Sequence, residues 1–149
     1  MTDDKTLIFL FSPDLKYVWL LRKNKPKWQE DYLNGVGGKV EKGETFMNCI
    51  IRETKEEVGV KLDRDRVNNM GVIEAKNFRV RLYTYRLNTK EKPKQMESEE
   101  LHKILVKDVP KLKVIPNLRM LIPYSQYLLE GKNLNVREYI ASTLIIKFK

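Results

Sequence analysis

The chain has 149 residues, a net charge of +9 and an ordinary apolar content, which fits one folded domain over residues 1–149 and excludes a disordered chain. The single cysteine, Cys49, excludes a disulfide framework and fits a reducing compartment, and no stretch approaches the roughly 20 apolar residues that a membrane span needs. Because the first residues are acidic ahead of a short apolar run, they match a signal peptide poorly, and we expect a cytoplasmic protein with no membrane partner.

The first predicted elements form a hairpin. Residues 5–11 are apolar on both faces, which is typical of a central strand. A turn at 12–14 leads to a second strand over 17–22, the expected hairpin partner of the first. The basic segment that follows begins with Arg22 and Lys23. It is either one wall of a phosphate-binding cleft or a solvated loop.

The next segment, 34–40, contains three glycines in four positions. Such a loop permits the backbone to approach a ligand closely, so that an amide or a carbonyl can touch phosphate or metal. Lys39 directly after the glycines is well placed to meet a phosphate.

A helix with a carboxylate face follows this loop. Residues 43–45 carry acidic and capping side chains typical of a helix start, and Gly59 is a typical stop. Glu53, Glu56 and Glu57 are spaced so that one face presents all three, with Cys49 and Arg52 on the same side. The side expected to be buried carries Met47, Ile51, Thr54 and Val58. A solvated acidic face is the ordinary interpretation, and a site for a hard cation such as Mg²⁺ is the functional one.

The rest of the chain adds strands and a second helix. A polar connector at 63–69 precedes strands at 70–75 and 78–87. In the second of these, Phe78 begins a buried face that alternates with a wet one. A polar, mobile-looking segment at 88–100 is followed by a strand at 101–107 and a helix at 117–130, in which Pro123 should remove a hydrogen bond. Residues 136–149 are expected to form one or two edge strands. This order predicts an α/β fold with a mixed sheet packed between helices.

The stretch 38–60 resembles the Nudix box, G-x5-E-x7-R-E-U-x-E-E-x-G-U, in which U is an apolar residue. The matching positions are Gly38, Glu44, Arg52, Glu53, Glu56, Glu57, Gly59 and Val60. Thr54 stands where an aliphatic residue is usual. A match at so many fixed positions is a specific signal, and it implies a Nudix hydrolase with an α/β/α sandwich fold.

The resemblance implies a role for each box residue. The carboxylates of Glu53, Glu56 and Glu57 and the Gly38 carbonyl would hold one to three Mg²⁺ or Mn²⁺ ions. Glu56 or Glu57 would also be the base. Arg52 would orient the glutamates, and Glu44 would brace the loop and the helix start.

Several family members add a carboxylate from a loop after the box. The candidates here are Glu97, Glu99 and Glu100, of which we choose Glu100 because it directly precedes a predicted strand. A solvated acidic loop is the alternative.

The run LNGVGGKVEKGET resembles MutT-type nucleoside triphosphatases, in which an asparagine at the position of Asn34 reads the base. An amide can both donate and accept, which suits a purine edge. The segment that grips an 8-oxopurine in that branch carries an acidic pair. The segment here, 115–118, lacks that pair and offers Asn117, which can contact a base or cap a helix. Phe78, Tyr83 or Tyr85 could stack on the base.

We therefore expect metal-dependent hydrolysis of a (d)NTP to the monophosphate and pyrophosphate, with a small-molecule nucleotide as the partner. The alternatives are an enzyme acting on capped or 5′-triphosphorylated RNA, encouraged by the positive charge, and a non-catalytic nucleotide-binding module. Scattered lysines without a nucleic-acid motif do not favour the RNA alternative. Non-catalytic modules usually lose box glutamates, and none is lost here. Nothing in the sequence indicates an oligomeric state.

Overall fold

A computed structural model describes residues 3–131 and 144–147. Within these ranges the chain forms eight strands and two α-helices, with short 3₁₀ turns at Lys27–Gln29, Arg64–Arg66 and Val106–Lys111. In chain order the elements are β1 (Asp3–Phe11), β2 (Tyr17–Arg22), β3 (Leu33–Asn34), β4 (Val36–Lys39), α1 (Phe46–Val58), β5 (Asn68–Ala75), β6 (Phe78–Arg86), β7 (Glu100–Leu105), α2 (Leu118–Glu130) and β8 (Leu144–Lys147).

All eight strands belong to one mixed sheet. The order is β3-β2-β1-β6-β5-β8, while β4 also pairs with β1 and β7 with β2. β1 is central, as predicted: it runs antiparallel to β2 and β4 and parallel to β6. β8 pairs with β5 alone among the described strands and lies at the edge. The predicted edge structure is thus confirmed at 144–147, while 136–143 and 148–149 lie outside the described residues.

The two helices cover opposite faces of this sheet. Alternation along β1 sends Ile8 and Leu10 into a core with Ile50 and Val58 of α1. Phe9 and Phe11 enter a second core on the other face, which contains the apolar side of α2. The predicted α/β/α sandwich is confirmed. Among the described residues, no helix is both long enough and apolar enough to span a bilayer.

Helix α1 begins and ends where the sequence predicts. The Thr45 hydroxyl accepts from the Asn48 amide at 3.0 Å, and Gly59 ends the helix with a left-handed φ of 71°. The buried stripe, however, is wider than predicted. Thr54 and Val58 are buried, Met47 and Ile51 are only partly buried, and the fully covered positions also include Cys49 and Ile50. The cause is that α1 lies across both β1 and β4, so the side that faces β4 is covered as well.

The environment of Thr54 explains why a threonine fits a box position that usually carries an aliphatic residue. Thr54 is fully buried, and its hydroxyl donates to the Ile50 carbonyl one turn earlier at 2.7 Å. The polar atom is thereby satisfied inside the helix, so the residue packs as an apolar one would.

Four further predictions need correction. The glycine segment is not a free loop, because β3 and β4 pair it with β2 and β1. β5 begins two residues before the predicted strand and takes in part of the predicted connector. The wet face predicted for β6 is absent over its second half, where residues 82–85 are all buried, because β6 lies between β1 and β5 under both helical layers. Phe78, predicted to be buried, is exposed at the start of β6.

The predicted strand at 101–107 ends earlier, at Leu105, and a 3₁₀ turn that contains Pro110 follows. The second helix agrees with its prediction apart from one residue. Asn117 occupies the N-cap position of α2, but its side chain makes no capping hydrogen bond. Pro123 lies inside α2 with its ring exposed to solvent.

Candidate active site

Gly38 on β4 is the point where the sheet and helix α1 come closest at the glutamate face. A methyl group on this residue would lie 2.5 Å from the carboxyl carbon and Oε1 of Glu53, well inside van der Waals contact. Only glycine therefore leaves room for the Glu53 carboxylate against the β4 backbone. The Gly38 carbonyl oxygen belongs to the β1–β4 pairing, and it also lies 3.4 Å from the Thr6 hydroxyl and 3.8 Å from the Cys49 sulfur.

Arg52 joins the glutamates to one another. Its guanidinium binds Glu44 at two points, 2.8 and 3.0 Å, in the paired geometry that arginine forms with carboxylates. A third nitrogen donates to Glu53 at 2.8 Å and to Glu56 at 3.3 Å, and the Lys39 carbonyl accepts at 3.2 Å. Arg52 thus has the orienting position that the box predicts, with its own orientation set by Glu44.

Glu44 braces the loop before the helix. Besides Arg52, its carboxylate accepts from the Glu41 amide at 3.1 Å. The hydrogen bond from Arg52 holds the pKa of Glu44 down to about 2, and the same pair raises the pKa of the Arg52 guanidinium. Both groups are therefore charged at neutral pH, as the bracing role expected of Glu44 requires.

Glu57 is the buried member of the glutamate face, with 8% of its surface exposed. Burial raises its pKa to about 8, and the Lys23 ammonium works in the opposite direction. The neighbouring Glu53 carboxylate also favours the protonated form. A buried carboxyl beside a second one is an arrangement that a bound cation would stabilise in its ionised form.

Lys23 and Glu99 form an ion pair next to Glu57. Their charged atoms are 2.9 Å apart, and each side chain is only 15% exposed. Glu99 also accepts from the Asn24 amide at 2.6 Å. Lys23 was predicted to line the site and lies at it, whereas Glu99 was only one of three candidates for the loop carboxylate.

Glu100, the candidate chosen from the sequence, is the next residue, and its side chain faces Arg22 and not the glutamates of α1. Its carboxylate is 61% exposed and binds Arg22 at 3.2 Å on the neighbouring strand. Glu99 lies in the bend before β7 and Glu100 is the first residue of the strand, so the two could be distinguished only once the start of β7 was known. Arg22 is held by this pair and by the Asp31 carbonyl at 3.1 Å.

Cys49 has a structural place beneath the glutamate face. It is fully buried, with its sulfur 3.2 Å from the Thr6 hydroxyl and 3.5 Å from the Lys39 carbonyl. Burial raises the pKa of its thiol to about 11, so the thiolate, the reactive form, is disfavoured. Cys49 is therefore a buried residue of the helix–sheet contact and not a reactive group of the site.

Asn34 lies on β3, beside the segment that precedes α2. Its carboxamide oxygen accepts from the Gly35 amide at 2.8 Å, and its nitrogen donates to Gln29 at 3.2 Å. Leu33 and Val114 form a parallel β-bridge, which places the residues just before Asn117 next to β3. The structure therefore brings the chain segments of the two predicted base-reading asparagines to the same edge of the sheet.

The side chains of four other candidate residues lie away from the glutamates. Lys39 is exposed on β4 with its ammonium 3.8 Å from Asp3. Phe78 on β6 pairs with Asp3 at the start of β1. Gly38 is level with Arg81 across β1, and Phe78 lies three residues before Arg81 along β6. Tyr83 and Tyr85 are buried in the core under α1 and cannot stack on a ligand.

The donor atoms around Gly38 suit a hard divalent cation, because the three carboxylates offer only oxygen, which Mg²⁺ and Mn²⁺ prefer. The space that a Cβ would fill at Gly38 lets one carboxylate lie against the backbone. Across residues 3–131 and 144–147, no group of three or more His, Cys, Asp or Glu side chains is arranged to hold an ion. Since Glu53 and Glu56 are bound to Arg52, ion binding requires their side chains to rotate.

The fold and the site together define a class: an α/β/α sandwich whose first helix carries a metal-suited carboxylate face beside a glycine in the sheet. The model of the NUDIX domain matches residues 1–124, and the chain belongs to this family. It is a Nudix hydrolase, an enzyme class that acts on phosphoanhydride bonds, generally with divalent metals such as Mg²⁺ or Mn²⁺.

Solved structures agree on the fold. MutT of Aliivibrio salmonicida and Vibrio cholerae is similar with a TM-score of 0.73 at 14% identity, covering 85% of this chain and 98% of that one. The MutT NUDIX hydrolase from Burkholderia pseudomallei gives 0.70 at 16% identity, with 83% and 98% covered. The mutator MutT protein from Bacillus halodurans gives 0.65 at 17% identity, with 84% and 82% covered. No curated protein matches the chain.

Proposed function

We propose that this protein is a metal-dependent pyrophosphohydrolase that cleaves a nucleoside triphosphate, ribo- or deoxyribo-, between its α- and β-phosphates. Water adds across that bond and the products are the monophosphate and pyrophosphate. One observation carries the proposal: the Glu53 carboxylate lies over Gly38, while the buried Glu57 lies beside the Lys23–Glu99 pair. Anionic and cationic groups are thus collected at one place, as polyphosphate chemistry requires.

The proposed ligands of Mg²⁺ or Mn²⁺ are the carboxylates of Glu53, Glu56 and Glu57 and the Gly38 carbonyl. When bound, the ion would neutralise phosphate charge and polarise the bond that breaks. Glu99 replaces Glu100 as the proposed additional carboxylate, because Glu99 is sheltered beside Glu57 and Glu100 is exposed on Arg22.

Arg52 orients the glutamates, and Glu44 keeps Arg52 in place. The two-point bond to Glu44 leaves one nitrogen of Arg52 for Glu53 and Glu56, so both carboxylates start from defined positions. Lys23, Arg22 and the exposed Lys39 are the cations proposed to meet the phosphates. The Lys23 charge also acts on the Glu57 carboxyl, whose pKa it lowers.

The proposed base is Glu56. A base must reach the water that it deprotonates, and the Glu56 side chain is 50% exposed whereas Glu57 is buried. Of the three glutamates that accept a hydrogen bond from Arg52, Glu56 has the longest one, at 3.3 Å. Glu57 stays the alternative base.

The nucleobase is proposed to lie at the edge formed by β3 and the segment before α2. The carboxamides of Asn34 and Asn117 can both make further hydrogen bonds. The Asn34 nitrogen donates only one of its two hydrogens, and the Asn117 side chain makes no capping hydrogen bond. The acidic pair expected for an 8-oxopurine is absent at 115–118, so an ordinary nucleotide is the proposed substrate.

The test is a panel of ribo- and deoxyribonucleoside triphosphates assayed for pyrophosphate release with Mg²⁺. We expect turnover that chelator abolishes and that rises with pH as the glutamates ionise. Glu56→Gln and Glu57→Gln should each lower kcat at least about 100-fold. Glu130→Gln, an exposed glutamate at the end of α2, is the matched control and should not change it.

Two outcomes would contradict the proposal. Turnover of a diphosphate-linked compound with none of any triphosphate would reject the substrate class. Full activity of both glutamine variants would reject the metal assignment.

One observation supports the 5′ end of RNA as a second candidate substrate. Trp28 is 67% exposed directly after Lys25 and Lys27, and an exposed aromatic side chain next to cations is typical of single-stranded nucleic-acid binding. Binding of a 5′-triphosphorylated oligonucleotide that weakens steeply with salt would favour this substrate. Equal affinity for the oligonucleotide and a mononucleotide at all salt concentrations would reject it.

A further inference from the structure

Residues 91–99, which we name the strap, connect β6 to β7 without forming helix or strand. Their composition predicts a mobile segment, and most of their side chains are exposed. Hydrogen bonds nevertheless attach the strap to three different parts of the molecule: the turn after α1, the end of α1 itself, and the loop after β2. The first two attachments involve no side chain of the proposed chemistry, whereas the third is the Lys23–Glu99 pair of the proposed site.

The first attachment is at Glu91. One carboxylate oxygen accepts from Arg66 at 3.0 Å and from the Asn88 amide at 2.9 Å, while the other binds the Tyr85 hydroxyl. The Tyr85 hydroxyl also accepts from Arg66 at 2.9 Å and from the Asp63 amide at 3.1 Å, and its ring lies 4.7 Å under the Arg66 guanidinium. The Tyr85 ring is fully buried, so this network fixes the start of the strap to the core.

The second attachment is at the end of α1. The Lys94 amide donates to the Val58 carbonyl at 2.9 Å, and the Met96 amide donates to the Glu57 carbonyl at 3.2 Å. These are two of the carbonyls that a helix leaves unpaired at its C-terminus. The strap passes so close to Gly59 that the side chains of Lys94 and Met96 lie 3.2 and 3.3 Å from where its Cβ would be.

The third attachment is the Lys23–Glu99 pair. Glu99 accepts from the Lys23 ammonium at 2.9 Å and from the Asn24 amide at 2.6 Å, and Ser98 accepts from the Asn24 side chain at 3.2 Å. The strap therefore continues without a break from the Glu91 network, over the backbone of Glu57, to the ion pair beside the Glu57 carboxyl.

From this continuity we propose that Glu91 is a positioning residue: its network with Tyr85 and Arg66 holds the strap so that Glu57 and the Lys23–Glu99 pair keep their relative positions. Glu91 itself does not reach the glutamate face. The inference rests on the proposed function for its effect on turnover, but its effect on the strap is independent of any substrate. Loss of the Glu91 charge should release the strap from its amino-terminal end onwards.

The experiment compares Glu91→Gln with Lys92→Gln, an exposed neighbour in the same segment that has no ion pair among the described residues. The first readout is amide hydrogen exchange at Lys94 and Met96, measured by NMR on the whole chain. We expect exchange at both amides to accelerate about tenfold in Glu91→Gln, because a charge-assisted network is weakened, and to stay unchanged in Lys92→Gln. Tyr85→Phe should reproduce the effect, and the double variant should add little to it.

The second readout is the dissociation constant for Mn²⁺, followed by the electron paramagnetic resonance of the free ion, together with kcat and KM. We expect Glu91→Gln to weaken Mn²⁺ binding about tenfold and to lower kcat by a similar factor while KM changes less than about twofold. Unchanged exchange at Lys94 and Met96 would overturn the proposal. Faster exchange with wild-type Mn²⁺ affinity and kcat would also overturn it, since the strap would then be structural only.

Failure of the proposed function has a different signature. In that case the wild-type protein turns over no nucleoside triphosphate, while the exchange and Mn²⁺ comparisons between the variants still decide whether Glu91 acts through the strap.

Discussion

Two adjacent glycines of β4 should respond in opposite ways to the same substitution. At Gly37, a Cβ would lie 1.9 Å from the Thr6 carbonyl oxygen and 2.7 Å from its carbon, both backbone atoms of the central strand. At Gly38, the three nearest atoms to the Cβ would be the carboxyl atoms of Glu53, at 2.5 to 2.8 Å. Alanine at Gly37 must therefore move a strand, whereas alanine at Gly38 needs only a rotation of Glu53.

The distances set the expected magnitudes. The Gly37 contact is about 1 Å shorter than the 3.0 Å below which Cβ contacts are essentially never found, and β1 is paired on both sides and cannot yield. Gly37→Ala should cost about 3 kcal/mol of unfolding free energy or more. Gly38→Ala breaks at most the Arg52–Glu53 hydrogen bond, for about 1 kcal/mol. It should still lower kcat about 100-fold, because it displaces Glu53 by about 1 Å.

The assay pairs urea unfolding, followed by tryptophan fluorescence, with pyrophosphate release and Mn²⁺ affinity for both variants. We expect Gly38→Ala to unfold close to the wild-type midpoint with activity and ion binding lost. Gly37→Ala should unfold at a much lower urea concentration. Equal destabilisation by the two substitutions, or wild-type activity of Gly38→Ala, would refute the reasoning.

Two further predictions concern carboxylates. The pKa of Glu44 is lowered from 4.5 to about 2 by Arg52, so its contribution to stability is present above pH 4.5 and is lost as the pH falls towards 2. Since the pair borders solvent, Glu44→Gln should cost about 1–2 kcal/mol at pH 7, measured by urea unfolding, and the difference from wild type should vanish near pH 2. A difference that persists at pH 2 would show that Glu44 acts by packing. Glu99→Gln should lower kcat about tenfold or more, while Glu100→Gln changes it less than about twofold, because only Glu99 lies with Lys23 beside the glutamate face. The reverse ranking in a steady-state assay would reject this choice.

The glutamate helix could be predicted from the sequence because its determinants are local. The cap at Thr45, the stop at Gly59 and the spacing of the three glutamates depend on residues within one helix. The central position of β1 was also predictable, since a strand covered on both faces is apolar on both. The hydrogen bond between Arg52 and Glu44 was predictable as well, because both residues belong to the box and are only eight residues apart.

Features that depend on distant pairing could not be predicted in the same way. The choice between Glu99 and Glu100 depends on where β7 begins and on its register with β2, in which Arg22 lies opposite Glu100. The burial of residues 82–85 depends on β6 lying between β1 and β5, partners that are distant in sequence. The polar composition of residues 88–100 correctly indicates that their side chains face solvent. It does not indicate that backbone amides of this segment hydrogen-bond to the carbonyls of Glu57 and Val58.

The bonds of Arg52 differ in a way that orders the proposed chemistry. Its contact with Glu44 is made at two points and is sheltered, its contact with Glu53 is a single bond of 2.8 Å, and its contact with Glu56 is a single bond of 3.3 Å on a half-exposed side chain. Exposed single bonds are the weakest of these, because water competes for both partners. Glu56 is therefore the carboxylate that turns most easily to a cation or a water molecule, while Glu44 keeps Arg52 from following it. The same guanidinium can thus hold the helix start in place and release the proposed base.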